Sequence, residues 1–483
     1  MKATSIFGGV QVFNILISLI RSKFIALFLG PAGMGIAGLL VSTTNLIASF
    51  TNFGLGTTAV KNISEATSGG DSNRANTVVG VFRKLLILTG LLGTILVFAL
   101  APVLSKLSFG NSDYSNAFRW VSVTLFLGQI ATGQLVILQG MRKLKQLAKS
   151  NMIGSVSGLL ISLPIYYSIG VKGIVPAIII TSLASVAITY YFTSKIKFDK
   201  VKITTALIKL EGSGMLKMGF IFSLNGLIAM VAAYILTIFI ARYGGVDQVG
   251  LYNAGFAIVN TYVGMIFTAM ATDFFPRLSA ISSDNKKCGI MVNQQAYISI
   301  LIIAPILTIF LVFINAIIII LYSAKFLEIN DMIQYVALGI LLKTVTWAMG
   351  FMIIAKGNSK LFFYSEVIAN IYMLASNILF YKYYGLNGIG ISFILSYTIA
   401  LLQTYFILRW KYQFSFETSF YRIFIIHVFF AVSCFFIVQH FTGSYRYFLT
   451  VPIILIAIGF SLYEMNKKMD ILSDAKRIFL KKV

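Results

Sequence analysis

Long apolar runs, one after another with only short polar connections between them, decide what this chain can become. Runs of about 20 apolar residues span the roughly 30 Å hydrocarbon core of a bilayer as a helix. They recur here over 4–29, 34–58, 78–105, 115–140, 150–168, 173–193, 218–242, 248–274, 291–322, 329–355, 361–382, 387–410, 420–441 and 446–465. Charged residues make up only 11% of the 483, against about a quarter in soluble domains. A soluble fold could not hide so much apolar surface. Lipid offers the backbone no hydrogen bonds, so a spanning segment must be a helix or part of a closed barrel. Strand-period alternation is absent, which excludes the barrel. The expectation is an all-α polytopic membrane protein of about 14 transmembrane helices. The first run is too long for a cleaved signal and lacks a small-residue cleavage site, so it reads as a retained helix.

A net charge of +24 invites a nucleic-acid reading. No soluble domain carries a basic face, so nucleic acid is rejected as a partner. The charge follows the positive-inside rule instead. With the N-terminus in the cytoplasm, cytoplasmic segments hold 29 of the 39 Lys and Arg, against seven on the opposite side. Six of the 29 lie between helices 6 and 7 and six in the tail from Lys467. N-terminus and C-terminus are therefore both expected in the cytoplasm. Two cysteines, Cys288 and Cys434, and two histidines, His427 and His440, form no disulfide framework and no metal spacing. No metal and no cofactor is expected.

A shift of 215 residues brings landmarks into one register: Gly35 on Gly250, Asn45 on Asn260, Ser150 on Ser365, Gly170 on Gly385 and Gly173 on Gly388. Six helices, six more and an extra pair follow. The domains are then 1–196, an N-terminal lobe; 197–217, a cytoplasmic linker; 218–412, a C-terminal lobe; and 413–483, the extra pair with a basic tail. Six is even, so both lobes start on the same side, a parallel repeat about an axis along the membrane normal. Repeats of this kind build transporters with the substrate site where the halves meet.

Charges inside a membrane are costly and mark function or a buried partner. Arg21 shares one helix face with Gln11, Asn14 and Ser18 at spacings of three and four. It lies roughly 13 Å below Gly30 at the outer end. This face reads as the wall of a polar cavity; the bland reading is an Arg capping carbonyls or paired with an acid. Lys23, on an apolar face, is a further candidate or a snorkelling side chain. Lys343 sits mid-helix with no acid beside it in that helix, so a wet cavity or an anionic ligand is expected, or else a bond to a carbonyl or Glu366. Asn14, Asn45, Asn225 and Asn260 are polar positions within helices. Membrane amide bonds are weak, and each can be structural; the matched Asn45 and Asn260 are the stronger substrate-binding candidates. Asp273 and Glu366 are the candidates for ion coupling, with Arg277 the default partner of Asp273.

Three stretches, FLGPAGMGIAG (Phe28 to Gly38), TNFGLGTTAVKNISE (Thr51 to Glu65) and ATDFFPRLSAI (Ala271 to Ile281), resemble the bacterial O-antigen translocases. These are Wzx-type lipid-linked oligosaccharide flippases of the multidrug/oligosaccharidyl-lipid/polysaccharide (MOP) exporter superfamily. The resemblance covers the whole chain, though none of the stretches is catalytic. It implies two six-helix lobes around a central cavity, alternating access, and an undecaprenyl-pyrophosphate-linked oligosaccharide as cargo. It also implies the bacterial inner membrane and other polysaccharide-assembly proteins as partners. Cations suit such a headgroup: Arg binds phosphate bidentately and Lys as a point charge. Many Wzx members have twelve helices; the extra pair is similar to that of the peptidoglycan-precursor flippases. A MATE-like drug/cation antiporter of the same superfamily would favour cavity acids over Arg21 and Lys343. An O-antigen polymerase, ligase or glycosyltransferase would show a large outer loop with acids, His or Arg, and none is present. A scaffolding role leaves the buried cations unexplained.

Overall fold

A computed structural model describes residues 2–68, 72–196, 198–199, 201 and 203–469. In chain order its helices are α1 (Lys2–Asn52), α2 (Leu55–Ser68), α3 (Ser72–Phe109), α4 (Ser115–Gly140), α5 (Leu144–Ile169), α6 (Ile174–Thr193), the single turn α7 (Thr205–Leu207), α8 (Ser213–Gly244), α9 (Val246–Ala280), α10 (Asn285–Leu321), α11 (Asn330–Ala355), α12 (Ser359–Tyr412), α13 (Thr418–His440) and α14 (Ser444–Met469). There is no strand among the described residues. The basic tail beyond Met469 lies outside them.

Eleven helical segments of the described chain are long and apolar enough to cross a membrane. Three are much longer than one crossing needs, at 44, 50 and 54 residues. A continuous 54-residue helix would reach roughly 80 Å. Each of the three is broken by a glycine with positive φ: Gly30 at 64°, Gly170 at 55° and Gly385 at 57°. Side chains avoid that backbone, and glycine has none to clash. At the first break the helix restarts on Pro31, whose missing N–H is not needed in a first turn. The fourteen expected crossings require each of these three segments to cross twice, once on either side of its glycine.

The 215-residue offset returns in the backbone. Gly170 (φ 55°, ψ −134°) matches Gly385 (φ 57°, ψ −140°), and Gly30 (φ 64°, ψ −171°) matches Gly245 (φ 85°, ψ 174°). It returns again where α1 crosses the start of α9. A Cβ on Gly35 would lie 2.0 Å from the Val246 carbonyl oxygen, and one on Gly250 would lie 1.9 Å from the Pro31 carbonyl oxygen. Adding 215 to 35 and 31 gives 250 and 246, so each half of the crossing is the image of the other. Small residues let membrane helices approach this closely, and packing rather than hydrophobicity then holds them.

One departure from the sequence reading has a clear cause. The second span was expected to reach residue 58, but α1 ends at Asn52, where Phe53 (φ 51°) and Gly54 (φ 63°) turn the chain. The separate helix α2 follows, burying Leu55, Thr58, Ala59, Ile63 and Ala66 on one face. The chain separates into two compact units, one of Met1–Asn253 with Leu321–Lys325 and one of Ala254–Ile320 with Phe326–Val483. That boundary falls within α9, downstream of the 197–217 linker, because α8 and the first turns of α9 pack on α1, α2 and α3.

Within the first unit the linker does not hang free. Lys84 donates to the Ile203 carbonyl oxygen at 2.7 Å, Asn76 to Asp199 at 3.1 Å, and Arg83 stacks over the Phe198 ring at 4.7 Å. Residues 76, 80, 83 and 84 form one face of α3, and Gly80 on that face makes room for the Ile203 side chain.

Within the second unit the extra pair is tied to α10. The buried Glu464 of α14 accepts from Tyr297 of α10 at 2.8 Å and from Arg422 of α13 at 2.7 Å. Asn293 of α10 donates to the Ser415 carbonyl and accepts from the Glu417 N–H, pinning the segment that leads into α13. His427 meets Ser461 at 3.1 Å between α13 and α14. Outward faces carry exposed apolar side chains such as Trp120, Leu160 and Phe406, as lipid contact requires.

Candidate functional site

Each unit carries its own candidate groups. In the first, the polar face of α1 lies against α5. Ser155 donates to the Asn14 side-chain oxygen at 2.8 Å, so Asn14 joins the two helices. Two turns on, the Arg21 guanidinium lies beside Gly158, where a Cβ would come 3.7 Å from its Nη1. It also lies near the Tyr166 hydroxyl. Arg21 is half-buried, and its Nε is buried without a hydrogen-bond partner among the described residues. No acid pairs with it there. Arg cannot shed its proton, so a charge with a spare donor stands on this face. Ser18 is exposed and Lys23 half-buried on α1.

The second half of α1 and the middle of α4 enclose a cavity of about 280 Å³, with Met230 of α8 on one side. Its polar lining includes Asn45, Asn52, Gln129, Thr44, Thr124 and Thr132, with no charged residue. Asn45 was expected; Asn52 and Gln129 were missed. They stand seven residues after Asn45 and on a separate helix, and only the pairing of α1 with α4 brings them together. Asn225 lies in α8, with its side chain outside the described residues.

In the second unit a cavity of about 300 Å³ is lined by Lys343, Thr346, Trp347, Glu366, Tyr397 and Thr404, among others. The Lys343 ammonium sits over three aromatic faces: Tyr397 at 5.6 Å, Phe267 at 5.9 Å and Phe393 at 6.0 Å. Each face offers a cation electrostatic attraction without neutralising it. Trp347 extends the aromatic wall, 5.2 Å from Phe267 and 5.1 Å from Phe351. Glu366 shares the cavity, yet no ion pair joins it to Lys343 among the described residues. Asp273 is exposed and paired with Arg277 at 2.9 Å, the default expected for it. Asn260 is exposed on α9 and does not line the Lys343 cavity. Among the described residues no three His, Cys, Asp or Glu cluster as metal ligands would.

Residues 24–331 match the model of a family described as "Polysaccharide biosynthesis protein". The Lipid III flippase of Escherichia coli (strain K12) is 24% identical over 360 residues, covering 72% of this chain and 83% of that protein. Among solved structures, the fold matches the lipid II flippase MurJ in an inward closed conformation, with TM-score 0.72 and 15% identity over 96% of this chain and 99% of that one. It also matches an inward-facing MATE multidrug-resistance transporter of the MOP superfamily, with TM-score 0.62 and 17% identity over 83% and 94%. The chain belongs to the polysaccharide biosynthesis protein family, and its fold is the one these MurJ and MATE structures share.

Proposed function

We propose that this transporter flips an undecaprenyl-pyrophosphate-linked oligosaccharide, an O-antigen or related repeat unit, from the cytoplasmic to the periplasmic leaflet of a bacterial inner membrane. N-terminus and C-terminus both face the cytoplasm in this reading. Alternating access moves the headgroup while the prenyl tail stays in lipid. One observation carries the reading above the others: Arg21 keeps a permanent charge and an unclaimed buried Nε on a polar helix face. Lys343, with no carboxylate bound to it among the described residues, adds a second cation. Both suit a pyrophosphate. A drug/cation antiporter would instead need acids; the cavity between α1 and α4 has none, and in the second cavity Glu366 stands with the cation Lys343.

The membrane potential works in the same direction. A potential negative inside is worth about 2.3 kcal/mol per charge per 100 mV, and it favours outward passage of an anionic headgroup. Glu366 and Asp273 stay the candidates for any coupled ion. Glu366 stands closer to the cargo chemistry, because it shares the Lys343 cavity.

The test is reconstitution with a fluorescent undecaprenyl-pyrophosphoryl oligosaccharide, following its appearance in the opposite leaflet. Wild type accelerates the movement, and an Arg21→Ala, Lys343→Ala double variant loses most of it while remaining folded. Full activity in that variant, or no movement in wild type, refutes the proposal. Polymerised sugar would point to a polymerase, and drug accumulation to an antiporter.

A further inference from the structure

The cavity between α1 and α4 does not suit the charged part of such a cargo. Its lining holds no Lys, Arg, Asp or Glu. A pyrophosphate would find no cation there, and a cationic drug no acid. Its polar atoms are amides and hydroxyls. The Asn52 side-chain oxygen is buried with no hydrogen-bond partner among the described residues. Asn45, two turns earlier on the same face, is exposed to the cavity. Gln129 donates its amide N–H to Thr89 at 3.1 Å, which fixes the group and leaves its carbonyl oxygen to accept. Thr44 and Thr124 give their hydroxyl hydrogens to carbonyls of their own helices, at 2.9 and 2.6 Å. Their oxygens keep acceptor capacity. The lining therefore offers amide donors from Asn45 and Asn52 beside a surplus of acceptors.

That inventory matches a neutral ring carrying hydroxyl or acetamido groups, which are donors and acceptors together. Size agrees. About 280 Å³ lies at the lower end of small-molecule sites, room for one sugar ring rather than a chain. Gly128 contributes to that room, since a Cβ there would meet nothing within 4 Å. Resting on the flippase reading above, we propose that this cavity is a sugar subsite. In it Asn45, Asn52 and Gln129 read the neutral sugar of the cargo, a role distinct from binding its pyrophosphate. Selectivity follows from the chemistry: a site built to hydrogen-bond hydroxyls leaves its own polar atoms unpaired when they are missing.

The experiment measures binding of two probes to the full chain in lipid nanodiscs, undecaprenyl pyrophosphate and undecaprenyl-pyrophosphoryl-N-acetylglucosamine. Wild type should prefer the sugar-bearing lipid roughly tenfold, the scale of two or three neutral hydrogen bonds. Asn52→Leu with Gln129→Leu should bring the ratio to about 1 and leave the affinity for undecaprenyl pyrophosphate unchanged. Gly128→Val, whose Cβ would meet nothing within 4 Å, narrows the cavity; it should do the same and guards against misfolding of the double variant. A ratio of 1 in wild type, or an undiminished ratio in both variants, overturns the subsite. Binding of neither lipid by wild type would instead overturn the flippase reading beneath it. Equal loss of both lipids in Arg21→Ala would uphold that reading whatever the ratios show.

Discussion

The reciprocal crossing of α1 and α9 yields a sharp test. Alanine at Gly35 would place its Cβ 2.0 Å from the Val246 carbonyl oxygen. Real Cβ atoms essentially never come within 3.0 Å, so one helix must retreat by at least 3.0 − 2.0 = 1.0 Å. Both partners are backbone, and no side chain can swing aside. Overpacking of this kind costs about 1–3 kcal/mol. Gly250→Ala meets the Pro31 carbonyl at 1.9 Å and should cost the same. The informative variant carries both. A single alanine already forces the helices apart, and the second then enters space that has opened. The double variant should therefore cost less than the sum, by about 1 kcal/mol, as expected for sites that share one backbone shift. Thermal or denaturant unfolding of the purified protein in one detergent gives the three values needed. Strict additivity would refute the shared crossing, and two neutral single variants would refute the close approach itself.

Two further outcomes concern the second unit. Glu464→Ala should lower stability by about 1–3 kcal/mol in the same unfolding assay, because it removes the buried carboxylate that accepts from both Tyr297 and Arg422. Glu464→Gln, whose carbonyl oxygen can still accept from Arg422 while its amide N–H turns to the Tyr297 oxygen, should recover part of the loss. Asp284 caps the start of α10, accepting from the Lys287 backbone N–H at 3.0 Å. That bond, with the Lys286 N–H and the Lys287 ammonium, holds its carboxyl below the usual carboxylate range. A depressed folded-state value stabilises the fold above the unfolded value, about 3.9, and the gain is lost as pH falls through the folded one. Wild type should thus melt above Asp284→Ala at neutral pH, and the gap should close below about pH 4.

The parts of this molecule that were legible in the sequence are those that depend on hydropathy or local spacing. The span 115–140 coincides with α4. The Asn14–Ser18–Arg21 face follows from helical period alone, and α5 does pack beside Asn14 and Arg21. Helix α2 escaped because its signal is a 3.6-residue period in a polar stretch, and apolar content alone runs straight into it from α1. The aromatic seat of Lys343 was illegible for another reason. Phe267 comes from α9, while Phe393 and Tyr397 come from α12, and no pattern within α11 announces them.

The crossing at Gly35 also sets an order of events during synthesis. Its other half, around Gly250, is made 215 residues later. At 5–20 residues per second the ribosome needs about 10–40 s to cover that distance. Through that interval the groove at Gly35 has no backbone in it, and lipid or the insertion machinery must cover a surface shaped for another helix. The first unit can close only when the start of α9 arrives. The first six helices are thus complete in sequence well before they can be complete in structure.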